Sequence, residues 1–196
     1  MREIRGIIFD CDGTLADTMP LHWKAWTSIA TRHGLDFSEE RFYALGGVPS
    51  RDIIQMLCQE QGKKLDHLAV AREKEEAYLP FLPEVKPIEL VVKVAEANQG
   101  KLPMAVASGG MKHIIEQVLE HLKIRHYFDA IVTSEEVRRQ KPAPDIFLEA
   151  ARRIGVPAQF CRAYEDTDLG IQAILSAGME AIDVRQLLTP PVAPVS

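Results

Sequence analysis

The sequence has 196 residues, of which 46% are hydrophobic, and this is enough for one hydrophobic core with a modest insertion. Lysine and arginine total 23 against 28 aspartates and glutamates, and the net charge of −5, without a basic run, argues against a nucleic-acid partner. Because the chain has no apolar stretch of about 18 residues and no N-terminal apolar segment of the signal-peptide type, we expect a cytoplasmic protein that does not bind a membrane.

Short apolar or β-branched runs alternate with helical patterns, which predicts an α/β fold with a parallel sheet covered by helices on both faces. Strands are predicted over residues 6–10, 103–107, 129–133, 160–164 and 180–184. Helices are predicted over residues 88–98, 112–121, 144–154 and 169–177. Gly100, Gly155 and Gly178 follow three of these helices, where a residue in the left-handed conformation would end the helix.

Residues 17–80 differ from the rest of the chain, because they contain both tryptophans, charged amphipathic stretches and no convincing strand. They are predicted to form a helical cap inserted between the first two strands, with Trp23 and Trp26 packing inside it. A later apolar stripe from Leu68 to Tyr78 is imperfect because it includes Glu75, so its helix is expected to be partly exposed. Residues 1–16 and 81–196 then form the core, and residues 189–196 a loose proline-rich tail.

The three cysteines are an odd number and have no CxxC spacing, which argues against a disulfide framework and against a zinc site. A cysteine phosphatase would also need an arginine six residues after its nucleophile, and those positions hold Asp17, Lys64 and Thr167. Neither GxxxxGK[ST] nor GxGxxG occurs, so the usual signals of a nucleotide-binding fold are missing.

The sequence FDCDGT over residues 9–14 places two carboxylates where the first predicted strand ends. Asp10 and Asp12 point to the same side if the strand geometry persists, and Gly13 permits a sharp turn after them. An aspartate is ionised at neutral pH and acts as a nucleophile without a base to activate it. The alternative interpretation is an ordinary loop, since Asp and Gly are common in turns.

Three further segments favour an active site: VASGG over residues 106–110, KPAPD over residues 141–145 and YEDTDLG over residues 164–170. With FDCDGT, they resemble the haloacid dehalogenase-like hydrolase superfamily from about Gly6 to Arg185. Within it, the chain is most similar to the branch of β-phosphoglucomutase and small bacterial sugar-phosphate phosphatases, including those acting on fructose 1-phosphate or 6-phosphogluconate. The resemblance implies a Rossmann-like three-layer core with strand order 5-4-1-2-3, counted over the five predicted strands, and a cap after the first strand.

A phosphate monoester carries nearly two negative charges, so Asp10 needs cations to approach its phosphorus. The resemblance implies Mg²⁺ bound by the carboxylates of Asp10 and Asp166 and the backbone carbonyl of Asp12. Glu165 is expected to hold a metal-bound water or to orient the site. Its alternative interpretation is an acidic residue placed near a helix N-terminus, where negative charge is favourable.

Ser108 is expected to donate its hydroxyl to a phosphoryl oxygen, assisted by the amides of Gly109 and Gly110. The alternative for Ser108 is a local helix cap. Lys141, which precedes a proline and is therefore biased toward extended geometry, is expected to reach both Asp10 and the phosphate. Outside the motif, a lone lysine would be interpreted as a solvated charge.

The cap is expected to select the alcohol part of the substrate, because the core motifs handle only phosphate and metal. The resemblance indicates four substrate-binding candidates there: Thr18, His22, Arg51 and Lys74. The loop over residues 46–48 resembles a segment that faces the substrate. For each charged candidate the alternative is a solvated helix face.

The expected function is Mg²⁺-dependent hydrolysis of a small sugar phosphate, a small-molecule ester, through an aspartyl-phosphate at Asp10, with Asp12 as general acid and then base. A phosphomutase shares the first step. Mutase-type sequences carry a second serine followed by lysine after the second motif, whereas this chain has Gly110 and Met111, which favours hydrolysis. A non-catalytic binding protein on the same fold is a further alternative. We expect a monomer or a weak homo-oligomer.

Overall fold

The computed structural model describes residues 3–188 and contains seven strands within them. These are β1 Gly6–Phe9, β2 Ala16–Asp17, β3 Lys86–Pro87, β4 Met104–Ser108, β5 Ala130–Thr133, β6 Cys161–Glu165 and β7 Glu180–Asp183. Five of them form one sheet in the order β5-β4-β1-β6-β7, and every neighbouring pair in it is parallel. The predicted α/β class and the strand order are both confirmed, because this is the expected order read from the opposite edge.

Nine α-helices occur in the described residues. They are α1 Met19–His33, α2 Glu39–Ala44, α3 Ser50–Gln61, α4 His67–Tyr78, α5 Glu89–Asn98, α6 Lys112–His121, α7 Asp145–Arg153, α8 Asp168–Ser176 and α9 Val184–Leu188. The four predicted core helices correspond to α5–α8 within one residue at each end. The three glycines that follow α5, α7 and α8 have φ between 69° and 76°, as expected for residues that end a helix.

The two faces of the sheet bury separate hydrophobic clusters, because successive side chains of a strand point to opposite sides. Phe9 and Val106 lie on one face with α5 and α6, whereas Ile8 and Ala107 lie on the other with α7 and α8. All four residues of β1 are buried, which is typical of a central parallel strand covered on both sides.

Helices α1–α4 lie between β2 and β3 and surround a third hydrophobic cluster that includes Trp26, Phe42 and Ile54. Trp23 packs against this cluster, so both tryptophans contribute to packing. Leu68 is 48% exposed on α4, whereas Glu75 on the same helix is buried. The expected partial exposure of this helix is therefore found at Leu68 and not at Glu75.

The chain enters and leaves this helical segment through a two-stranded antiparallel ribbon that the sequence did not predict. Ala16 pairs with Pro87, and Asp17 pairs with Lys86. The division into residues 17–80 and the remainder stays a prediction. The proposed tail over residues 189–196 lies outside the described residues. None of the described helices has the length and apolar character needed to cross a membrane.

Candidate active site

The four motifs meet at the carboxyl edge of the sheet, around the central strand β1. Asp10 directly follows β1, Ser108 ends β4, and Glu165 ends β6 with Asp166 next to it. Lys141 comes from the loop between β5 and α7. In an open α/β sheet this edge, beside the point where strand order reverses, is where ligands bind.

Lys141 joins two carboxylates from neighbouring strands. Its Nζ donates hydrogen bonds to Asp10 Oδ1 at 2.7 Å and to Glu165 Oε2 at 2.6 Å. All three side chains are at most 5% exposed, so the charges interact with little screening by water. Burial alone would lower the pKa of Lys141, but the charges of Asp10 and Glu165 raise it above its usual range and keep the ammonium protonated.

Negative charge exceeds positive charge at this point, because the carboxylates of Asp10, Glu165 and Asp166 surround one lysine. Oxygen atoms of the three lie within 4.8 Å of one another. Burial and the Glu165 carboxylate raise the pKa of Asp10 well above its usual range and that of Asp166 to about 7. A divalent cation would offset this excess.

The donor set fits Mg²⁺, which prefers oxygen ligands. Asp166 Oδ1 accepts a hydrogen bond from Thr14 at 2.9 Å, while the backbone carbonyl of Asp12 accepts none from the described residues. Glu165 is already engaged through both oxygens, since Thr167 Oγ1 donates to its Oε1 at 2.7 Å. The residues that remain available for the ion are therefore Asp10, Asp166 and the Asp12 carbonyl, with Glu165 as an orienting group.

Two glycines make this crowding possible. Gly13 has φ of 82°, a left-handed conformation, and a Cβ there would collide with the Asp166 carboxylate. A Cβ on Gly170, at the start of α8, would collide with the Glu165 carboxylate in the same way. Glycine at these two positions allows both acidic side chains to lie against the backbone.

Asp12 is the link between the sheet edge and the helical segment. Its Oδ1 accepts a hydrogen bond from Thr18 Oγ1 at 2.7 Å and lies 3.3 Å from His22 Nε2, and Ser108 Oγ lies 3.4 Å from its Oδ2. Burial would raise the pKa of Asp12, but the hydrogen bonds from His22 and Thr18 and the positive charge of Lys74 lower it to about 2. Asp12 is therefore ionised before a substrate binds.

His22 continues this chain of contacts into α4. Lys74 Nζ lies 2.8 Å from His22 Nδ1, and because an ammonium only donates hydrogen bonds, His22 carries its proton on Nε2 and donates it to Asp12. The ring of His22 also stacks on Tyr78, with centroids 4.0 Å apart. Lys74 in turn donates to Glu75 Oε1 at 3.2 Å, and Ser50 donates to the same oxygen at 2.9 Å.

A cavity of about 400 Å³ lies between the sheet edge and α1–α4, which is within the usual size range for a small-molecule site. Asp10, Asp12 and Ser108 line it from the core. The side of the helical segment contributes His22, Arg51, Lys74, Glu75 and the loop between α2 and α3. That loop includes Gly46, Gly47 and Val48, the residues expected from the sequence to face a substrate.

The structure brings the predicted site residues together, with three differences in detail. Arg51 lines the cavity but contacts Asp52, at 3.4 Å, and is not part of the buried network around Asp12. Gly109 and Gly110 line the cavity, but the Gly110 amide donates to Ser108 Oγ at 3.0 Å and so holds the serine side chain. Thr18 was expected to bind the substrate, but it is buried and donates a hydrogen bond to Asp12.

Sequence reasoning missed four residues of the network. Thr14 and Thr167 stand inside the quoted motifs, within two residues of an aspartate, so their positions were an available signal. Glu75 interrupts an apolar stripe, which was also a visible signal. Ser50 carried no signal, because its contact with Glu75 depends on how α3 packs against α4.

The comparisons with known proteins agree with this geometry. The sequence model described as haloacid dehalogenase-like hydrolase matches residues 7–184. Fructose-1-phosphate phosphatase YqaB of Escherichia coli is 45% identical over 183 residues, covering 93% of this chain and 97% of that protein. Beta-phosphoglucomutase of Bacillus subtilis is 28% identical, covering 93% of this chain and 84% of that protein.

Among solved structures, beta-phosphoglucomutase from Clostridium difficile superimposes with a TM-score of 0.81 at 29% identity, covering 92% of this chain and 84% of that one. The family expected from the four motifs is confirmed by these matches.

Proposed function

Because the chain belongs to the haloacid dehalogenase-like hydrolase family, we propose that it is a Mg²⁺-dependent phosphatase acting on a small sugar phosphate such as fructose 1-phosphate. A phosphatase is the enzyme class that the family match and the phosphatase-named relative support. The observation that carries the mechanism is the position of Lys141, which holds the Asp10 carboxylate at the carboxyl end of β1.

Asp10 is the nucleophile in this proposal. Its Oδ1 is fixed by Lys141, and no hydrogen bond from the described residues engages its Oδ2. Attack by a carboxylate oxygen on phosphorus forms an aspartyl-phosphate and breaks the bond to the sugar oxygen. Mg²⁺, when bound by Asp10, Asp166 and the Asp12 carbonyl, supplies the positive charge that offsets repulsion between the carboxylate and the phosphoryl group.

Asp12 supplies the proton for the departing sugar oxygen and later removes one from the attacking water. It is ionised in the free enzyme, with a pKa of about 2, so it takes up this proton from solvent as the substrate binds, because the phosphate beside it raises that pKa by repulsion between like charges. The Nε2 proton of His22, pointing at Asp12 Oδ1, keeps the carboxyl oriented through both steps. Ser108, also in contact with Asp12, is placed to donate to the phosphoryl group.

Residues 17–80 serve as a cap over this site. The support is that His22, Lys74 and the loop with Gly47 face the catalytic residues across the cavity. Closure of such a segment excludes water during the first step, and its opening admits water for the second. A cytoplasmic location and a monomeric or weakly associated state are part of the same proposal.

Hydrolysis is favoured over phosphoryl transfer to a second sugar hydroxyl by Gly110 and Met111. These two positions offer no side-chain hydroxyl or ammonium group for a second phosphate. The 45% identity to a protein named as a fructose-1-phosphate phosphatase, against 28% to the named mutase, agrees with this.

The test is to incubate the purified chain and Mg²⁺ with fructose 1-phosphate or β-glucose 1-phosphate and to measure both free phosphate and glucose 6-phosphate. Free phosphate without glucose 6-phosphate is expected. Glucose 6-phosphate as the main product would replace the phosphatase with a mutase.

A further inference from the structure

A buried ion pair lies in the wall of the cavity formed by the helical segment, away from the acidic cluster. Lys74 and Glu75 are adjacent on α4, and their side chains are only 5% and 7% exposed. Both residues line the cavity, as does Ser50 from the start of α3. Buried charges of this kind are costly unless they are paired and hydrogen-bonded, so their presence at a cavity wall points to binding.

The two oxygens of Glu75 differ in their contacts. Oε1 accepts hydrogen bonds from Lys74 at 3.2 Å and from Ser50 at 2.9 Å. Oε2 accepts none from the residues that the structure describes. Lys74 holds the carboxylate in its ionised form by lowering the pKa of Glu75 against the effect of burial. One charged oxygen acceptor is therefore left for a ligand in the cavity.

Lys74 already uses two of its three N–H donors inside the cavity wall, which makes it a weak counter-ion for a second phosphate. Its ammonium is already shared between His22 Nδ1 at 2.8 Å and Glu75 Oε1. The pair as a whole is neutral, so it brings no net positive charge to the cavity wall, and it leaves Glu75 Oε2 without a hydrogen-bond donor among the described residues. Such a group accepts hydrogen bonds from hydroxyls and repels phosphate.

We propose that Glu75, positioned by Ser50 and Lys74, recognises a hydroxyl of the leaving alcohol and makes the enzyme select sugar or polyol monophosphates over bisphosphates. This inference rests on the proposed phosphatase function and names the substrate class of the same site. Arg51 and Arg72, which also line the cavity, are the competing candidates for binding a second phosphate. Recognition of a hydroxyl by Glu75 predicts a preference for monophosphates, whereas binding of a second phosphate by the arginines predicts a preference for bisphosphates.

The experiment compares kcat/KM for fructose 1-phosphate, fructose 1,6-bisphosphate and 4-nitrophenyl phosphate. The last compound has no hydroxyl on its leaving group, so it gives the reference rate for each protein. The wild type is measured beside Glu75→Gln, Ser50→Ala and Glu76→Gln. Glu76 is the matched control because it is the next residue on α4 and is exposed.

The wild type is expected to favour the monophosphate over the bisphosphate by about tenfold or more. Glu75→Gln is expected to lower kcat/KM for fructose 1-phosphate, relative to kcat/KM for 4-nitrophenyl phosphate, by about tenfold. The preference for fructose 1-phosphate over fructose 1,6-bisphosphate is expected to fall by a similar factor. Ser50→Ala is expected to change both ratios in the same direction by a smaller factor. Glu76→Gln is expected to keep the wild-type ratios.

A wild type that prefers the bisphosphate, or a Glu75→Gln variant that keeps both ratios, overturns the proposal. If thermal melting shows that Glu75→Gln does not fold, the Ser50→Ala variant tests the proposal instead. If Ser50→Ala keeps the wild-type ratio of kcat/KM for fructose 1-phosphate to kcat/KM for 4-nitrophenyl phosphate, the role of Glu75 is rejected. Phosphate release without any discrimination rejects this subsite alone. A wild type inactive on all three esters with Mg²⁺ rejects the phosphatase function itself, and the subsite with it.

Discussion

Gly47 and Gly109 pack backbone against backbone across the mouth of the active site. A Cβ on Gly109 would lie 2.5 Å from the carbonyl oxygen of Gly47, which is closer than any side chain tolerates. Gly47 belongs to the loop between α2 and α3, and Gly109 directly follows β4. The loop of the helical segment therefore reaches the part of the core that is proposed to bind phosphate.

Replacing Gly109 by alanine is expected to push this loop away from the core. The added methyl group meets backbone and not a flexible side chain, and such overpacking costs about 1–3 kcal/mol. We expect KM for fructose 1-phosphate to rise several-fold and the melting temperature to fall by several degrees, while kcat changes less than KM because β4 itself is not disturbed. An unchanged KM would show that the contact between Gly47 and Gly109 does not matter for binding.

Replacing Asp10 by asparagine is expected to lower kcat by at least about 1,000-fold, because the amide is a poor nucleophile. Acid quenching of wild type during turnover, followed by intact mass measurement, should show a phosphoryl adduct that the variant lacks. Asp36→Asn, at an exposed position, is the control and should retain turnover. Metal-dependent turnover by the Asp10 variant would exclude the aspartyl-phosphate.

Replacing Lys141 by alanine is expected to reduce both activity and stability. The change leaves the buried carboxylates of Asp10 and Glu165 without their cation, and losing one partner of a buried pair costs about 3–5 kcal/mol. Thermal melting without Mg²⁺ should show the full loss, and added Mg²⁺ should recover part of it by supplying positive charge. If Lys141→Ala and the wild type melt at the same temperature without Mg²⁺, Lys141 does not balance the charge of Asp10 and Glu165.

Mg²⁺ is expected to stabilise the wild type in thermal melts, by about 2.7 kcal/mol at a concentration 100 times its dissociation constant. Asp166→Asn should lose this response, since it removes one of the proposed ligands. Asp168→Asn is the matched control, because its side chain is 89% exposed and belongs to the same motif. Loss of the response in the control alone would place the ion elsewhere. Removal of Mg²⁺ by a chelator is expected to stop turnover by the wild type and by the Asp168→Asn control.

Replacing His22 by asparagine is expected to affect poor leaving groups most. His22 orients Asp12, which protonates the sugar oxygen, whereas 4-nitrophenolate leaves without a proton. We expect kcat/KM to fall about 100-fold for fructose 1-phosphate and much less for 4-nitrophenyl phosphate. Equal losses with both substrates would show that His22 acts on phosphate binding or folding and not on the proton.

The sequence was sufficient for the core strands, because a central parallel strand is a continuous apolar run such as residues 6–9. Strand order came from the resemblance and not from patterning, since no local signal tells which strands are neighbours. The pair β2 and β3 escaped prediction because each strand has only two residues, and β3 includes Pro87.

The site divides in the same way. Asp10, Asp12 and Asp166 stand in contiguous motifs next to strand ends and were predictable. The contact between Ser50 on α3 and Glu75 on α4 joins residues that are 25 positions apart in the chain, so it exists only once the two helices have packed. Sequence reasoning therefore found the residues proposed for the chemistry and missed those proposed for selectivity.

The ribbon of β2 and β3 has a consequence for protein engineering. Ala16 and Pro87 are paired, so the two places where the backbone passes into and out of α1–α4 are adjacent in space although about 70 residues apart in sequence. If the helices of a relative replaced α1–α4, only the pairing of β2 with β3 would have to be preserved at the two junctions. Chimeras joined there are a direct route to exchanging selectivity while retaining the acidic cluster.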